Sequence, residues 1–111
     1  MIIKTSKGDL PIKYTWNALA DFGELVDIPM DEIIVMNPAK LRPKQFQLFI
    51  LSGFMEGAIE AGQEAQVATA RDIGNLMGEN PDLLSNVLEC YTEFIKRVAD
   101  EAEKAEEGKK K

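Results

Sequence analysis

The sequence predicts a mainly α fold of the α+β class: an N-terminal β-hairpin packed on a bundle of about four to five helices, closing with a long C-terminal helix. Three observations carry this. Pro43 to Gly62, PKQFQLFILSGFMEGAIEAG, is apolar almost all the way round from Phe46 to Ile59, broken by Gln47, Ser52 and Glu56, and a helix without a polar face has to be surrounded by other elements. Before it, two short segments alternate in polarity around turn residues. After it, two segments repeat apolar residues at three- and four-residue steps, each bounded by capping residues.

In chain order, Ile2 to Thr5 and Leu10 to Thr15 have strand patterns, with Ser6-Lys7-Gly8-Asp9 as the turn and Gly8 available for positive φ. Two strands alone are marginal in water, so Ile3, Ile12 and Tyr14 are expected to lie on the helices. Thr15 can cap a first helix whose apolar positions are Trp16, Leu19, Ala20, Phe22 and Leu25 or Val26, with Trp16 and Phe22 as its anchors. Asp27 and Pro29 end it. Met30 to Met36 has room for no more than about two turns. Asn37-Pro38 then gives a cap followed by proline at the first helical position, opening a short turn around Leu41.

The central helix starts at Pro43 and is closed by Gly62. Gly53, Gly57 and Ala61 share one side, where a neighbouring backbone can come close. A membrane span needs about 20 consecutive apolar residues, and this run is shorter and carries Glu56. Glu56 and Glu60 are expected at the wet edge. A polar connector, Gln63 to Gln66, leads to an amphipathic helix through Val67, Ala70, Ile73, Gly74 and Met77, stopped by Gly78. Asn80-Pro81 launches the last helix, expected to reach about Glu106, with Leu84, Val87, Tyr91, Phe94, Val98 and Ala102 inward and Leu83, Leu88, Cys90 and Ile95 broadening the stripe. The chain thus divides into a single domain, residues 1–98, and an acidic fraying helix end with a mobile Gly/Lys tail, residues 99–111.

Composition narrows the function. The 111 residues, 45% of them hydrophobic, suit one globular domain. There is no histidine, so Ser/His and Cys/His nucleophile pairs are absent, and the helical Glu-x-x-His dimetal pattern is absent too. No Glu-Glu-x-x-Glu run of the helical pyrophosphohydrolase type occurs on a core helix. The expectation is a protein that is not an enzyme, with no cofactor and no metal. Cys90, the single cysteine, falls where a small buried hydrophobe is wanted. A formal net charge of −6 disfavours a nucleic-acid backbone as partner, and repulsion between acidic ends would make self-assembly salt-sensitive. Met1 to Lys13 has no long apolar run and carries Lys4, Lys7 and Asp9, which predicts no leader and a cytoplasmic protein.

The residues that remain for a function are apolar and basic. Met30, Ile33, Ile34 and Met36 lie in a short segment beside prolines, where unbranched thioethers adapt to irregular partners; they are the candidate helix-binding groove. Lys40, Arg42 and Lys44 form a basic cluster just before the central helix, a candidate docking point for an acidic surface, such as the acidic end of another copy.

The order of these elements resembles that of the tail assembly chaperones of long-tailed bacteriophages and prophages, of the siphophage and gene-transfer-agent type. The resemblance is carried by NALADFGELVDI in the first helix and by LFILSGFMEGAI followed by VATARDIGNLM, and it covers about residues 2 to 98. The Asn37-Pro38 and Arg42-Pro43 punctuation departs from the family layout. The resemblance implies a non-catalytic assembly factor in the cytoplasm of a bacterial host, absent from the mature virion. It would bind the helix-rich tape measure protein and keep it soluble, with the tail tube protein as a second partner and self-association as a further one, and with neither nucleic acid nor membrane as partner. A frameshifted longer product, slipping in the Gly108-Lys109-Lys110-Lys111 codons, is also implied. The alternatives are a structural tail or head-tail connector protein retained in the virion, and a small helical regulatory adaptor.

Overall fold

The computed structural model describes residues 1–109, with side-chain surroundings for residues 1–102. Strands β1 (Ile2–Thr5) and β2 (Gly8–Pro11) pair antiparallel, Ile3 opposite Leu10 and Thr5 opposite Gly8. Ser6 and Lys7 make the turn, and the positive φ of 101° falls on Gly8, the first residue after it. β2 is earlier than the expected Leu10 to Thr15. The polarity alternation does continue, with Leu10, Ile12 and Tyr14 all buried, but beyond Ile12 the backbone exchanges its strand partner for a helix. Ile12 N–H donates to the Met1 carbonyl at 2.9 Å and Lys13 N–H to the Gly53 carbonyl at 3.0 Å.

α1 (Trp16–Val26) is capped by Thr15, whose hydroxyl accepts the Ala18 N–H at 3.1 Å, and ends at Asp27 in the left-handed conformation. Ala18, Leu19 and Phe22 face the core. Trp16, expected as an anchor, is half exposed: as the first helical residue it sits at the rim and meets the edge of Phe94 at 5.7 Å. α2 (Met30–Ile33) is a single turn. A 3-10 turn at Pro38–Lys40 follows, with the Asn37 side chain accepting the Ala39 N–H.

α3 (Pro43–Glu60) is the enclosed element, burying Phe46, Phe49, Ile50, Leu51 and Phe54. Its end is a glycine closure: Gly62 takes φ of 67°, and the Gly62 and Gln63 N–H groups return to the Ile59 and Ala58 carbonyls. The small-residue side of α3 is where the N-terminal segment crosses, and any side chain on Gly53 would meet the Tyr14 ring. Glu56 corrects the sequence expectation. It is 5% exposed, on the covered side rather than the wet edge, while Glu60 is exposed and pairs with Lys13 at 3.4 Å.

α4 (Ala70–Glu79) begins later than expected. Val67 is buried but precedes the helix, and Thr69 caps it in a reciprocal box with Asp72. Gly78 does not stop the helix, which runs to Asn80. There the Asn80 side chain donates to the Leu76 carbonyl at 2.8 Å, so this residue closes α4 instead of opening the next helix. α5 (Leu83–Lys109) therefore starts two residues after Pro81 and continues past Glu106. Its buried stripe is Leu83, Val87, Tyr91 and Phe94. Leu84 and Ala102, expected inward, are exposed, because Leu83 rather than Leu84 sets the phase against the core. The mobile tail was expected to begin at Gly108, but Gly108 and Lys109 belong to α5; residues 110 and 111 lie outside the described residues.

The N-terminal segment, α1, α3 and α5 meet in one aromatic cluster. Tyr14 stacks on Phe49 at 4.7 Å, Phe22 and Tyr91 meet Phe49 edge-on at 5.4 and 5.0 Å, and the Tyr14 hydroxyl donates to the Phe49 carbonyl at 2.9 Å.

Candidate functional site

α1 carries Asp21 and Glu24 three residues apart on its outer side, and two open troughs, the first about as polar as apolar and the second mainly apolar, share them as a rim. The first, about 390 Å³, lies between α1 and α2, with Leu19, Gly23 and Ile33 in its lining, Met30 at its edge, and Asp27 as a third acid. The second, about 370 Å³, lies between α1 and α3 and is lined by Leu25, Leu51 and Met55, with Ala68 from the connector. Leu25 is 55% exposed and Met55 38%. These are large apolar side chains held at the surface beside carboxylates.

The sequence-predicted groove is only partly of this kind. Met30 and Ile34 are exposed, joined by Val35, and Met36 is half buried. Ile33 is 1% exposed and is a core residue: the single turn of α2 can turn only one face inward, and Ile33 occupies it, where a Cβ on Gly23 would touch its methyl end. Ile33 is therefore withdrawn from the contact residues and supports the trough from beneath.

Lys40 on the 3-10 turn, Arg42 just before α3 and Lys44 in its first turn are all exposed. None of them lines the trough that holds Met30. They alternate instead with Ala39, Leu41 and Pro43, which line a different groove of about 270 Å³ completed by Phe46, Met77, Leu84 and Leu88. Gln45 accepts the Arg42 N–H at 3.1 Å, and no acid occupies the first turn of α3. Cations at a helix N-terminus oppose its dipole, by about 0.3–1 kcal/mol each when exposed, so this cluster is placed against the helix's own preference.

A fourth cleft, of about 570 Å³, separates the N-terminal segment from α5, where Lys13, Lys96 and Arg97 face Glu93 and Cys90. Burial pushes the Cys90 thiol above its usual range, which keeps it protonated, and its sulfur lies 3.9 Å from the Ile12 carbonyl. Burial also raises Tyr14, with Cys90 and Tyr91 adding to the effect, and raises Tyr91. The Tyr91 hydroxyl is buried with no hydrogen-bond partner among the described residues. Among those residues no group of three or more acids or thiols is disposed to hold a metal ion. No helix of the described residues is long and apolar enough to cross a membrane.

The second trough was missed in the sequence because Leu25 and Met55 both fit core positions by spacing. The available signal was the company Leu25 keeps: Asp21, Glu24 and Leu25 share a side of α1, and a core face would not carry two carboxylates. Compared with known proteins, the chain matches no family model, and no curated protein or solved structure shows significant similarity to it.

Proposed function

We propose that this protein is a non-catalytic assembly chaperone that holds amphipathic helices of a partner chain, the tape measure protein being the partner that the sequence resemblance implies. The observation that carries the reading is the apolar trough of Leu25, Leu51 and Met55, which shares its Asp21 and Glu24 rim with a more polar trough beside Met30. An amphipathic helix laid along such a surface would bury its apolar anchors against Leu25, Met30 and Met55 and place flanking Lys or Arg beside the carboxylates. Adaptable methionines allow several related helices to use one surface, which suits a client that is long and helix-rich. The net charge of −6 keeps a loaded complex soluble. A role in the bacterial cytoplasm, with release before the particle is complete, belongs to the same proposal.

The test is co-expression of the untagged protein with the affinity-tagged longest helical protein of its gene cluster, followed by pull-down and a solubility assay. Co-purification with a solubilised client supports the reading. A client that stays insoluble and retains nothing overturns it, and recovery of this chain from purified particles would move a structural tail or connector role ahead.

A further inference from the structure

The cleft between the N-terminal segment and α5 has the opposite character to the troughs rimmed by Asp21 and Glu24. Its floor is apolar, from Ile12, Tyr14 and Phe94, and its lining carries three cations, Lys13, Lys96 and Arg97, against one carboxylate, Glu93. In a chain of net charge −6 this is a local excess of positive charge. The cations belong to the lining itself.

Pairing within the molecule does not use that charge up. Arg97 is one helical turn from Glu93 and from Glu101, and Lys96 is one turn from Asp100, the spacing at which ion pairs form on a helix. Neither takes a partner: among the described residues the single ion pair is Lys13 with Glu60, at 3.4 Å. Lys96 and Arg97 are exposed and unpaired among those residues. Trp16 stands at the same rim, half exposed, with its ring edge-on to Phe94 at 5.7 Å. Tryptophan and arginine around an apolar pocket are the residue types that most often carry the energy of an interface.

The occupant that answers these features has an apolar anchor for the floor and carboxylates beside it. A polyanion without apolar groups would leave the floor wet and meet Glu93, and a neutral apolar ligand would leave Lys96 and Arg97 unanswered. We infer that this cleft docks an acidic segment of a partner protein, one apolar side chain seated over Phe94, Ile12 and Tyr14 and its neighbouring Asp or Glu side chains paired with Lys96 and Arg97. The cleft shares no lining residue with the two troughs. An acidic segment here and a basic-flanked helix there are therefore sorted by charge to separate surfaces.

Trp16 is the only tryptophan and lines neither trough, so its fluorescence reports on this cleft. The test titrates the full chain with two synthetic tryptophan-free peptides of one leucine-centred sequence, the first flanked by glutamates and the second by lysines. The glutamate peptide is expected to shift the Trp16 emission to the blue and to saturate, while the lysine peptide leaves it unchanged. Lys96→Gln/Arg97→Gln loses two exposed ion pairs and should need about tenfold more glutamate peptide. Lys96→Glu/Arg97→Glu should invert the preference, and both variants should keep the helical circular dichroism spectrum of the wild type. No shift with the glutamate peptide, a shift that both variants retain in full, or an equal shift with the lysine peptide would overturn the proposal. An equal shift with a single-stranded oligonucleotide of the same charge would overturn it too, since charge alone would then be read. The readout involves no client, so it stands apart from the chaperone reading.

Discussion

The backbone of Gly57 lies directly against the carbonyl of Pro11, so close that a methyl group on Gly57 would clash with it. The contact ties the N-terminal segment to the central helix through main-chain atoms, which neither partner can swing aside. Alanine would gain about 1 kcal/mol of helix propensity at this position, but overpacking against fixed backbone costs about 1–3 kcal/mol. Gly57→Ala is expected to be net destabilising. Gly78, also helical, has open space around it, and Gly78→Ala should stabilise by up to about 1 kcal/mol. Urea unfolding of the two variants checks the opposite signs.

The two tyrosines of the core should respond in opposite directions to loss of the hydroxyl. Tyr14→Phe removes a buried hydrogen bond to the Phe49 carbonyl and is expected to cost about 1–2 kcal/mol. Tyr91→Phe removes a buried hydroxyl that has no partner among the described residues and should be neutral or stabilising by about 1 kcal/mol. Denaturation midpoints of both variants decide this, and equal losses would contradict it.

Asp72 should give α4 an acid-sensitive start. Its carboxylate accepts the Ala68 and Thr69 N–H groups, at 2.8 and 3.1 Å, and these bonds hold its pKa below the usual carboxylate value. A depressed folded-state pKa means that the stabilisation is fully present above the unfolded pKa, near 4, and is lost as pH falls through the folded value. The melting temperature of Asp72→Asn should lie below that of the wild type at neutral pH, and the gap should close in acid. A gap that persists at low pH would contradict the assignment.

Exposed apolar residues at the troughs should be dispensable for folding and needed for the client. Leu25→Asp and Met55→Asp are expected to change stability by no more than about 0.5 kcal/mol and to lower client recovery in the pull-down. Ile33→Ala is expected to behave differently, costing about 2–4 kcal/mol as a cavity in the core. Thermal melts run beside the pull-down separate the two effects.

Much of the architecture was legible in local sequence. The enclosed α3 could be read because its apolar residues leave no polar face, and Thr15, Asn37 and Gly62 marked ends because capping is a local interaction. What could not be read were choices settled by contacts distant in sequence. Asn80 had the pattern of an N-cap, yet its amide finds the Leu76 carbonyl behind it. Leu83 and Leu84 are equivalent by period, and only the position of Val87, Tyr91 and Phe94 against α3 decides which is inside. Ile33 and Ile34 posed the same ambiguity on a single turn, which is why part of the candidate groove proved to be core. Charge was informative in a way that spacing was not, since the carboxylates beside Leu25 mark the trough that spacing assigned to the interior.

Tyr14 belongs to the aromatic cluster centred on Phe49, stacked on that ring and edge-on to Tyr91. During synthesis this gives the molecule an inverted calendar. The hairpin and Tyr14 leave the ribosome before α3 and α5, yet the ring has no finished seat until both have followed. A part of the domain made before α3 and α5 is thus among the last to be fixed, and the domain completes as one cooperative event once α5 has emerged rather than helix by helix.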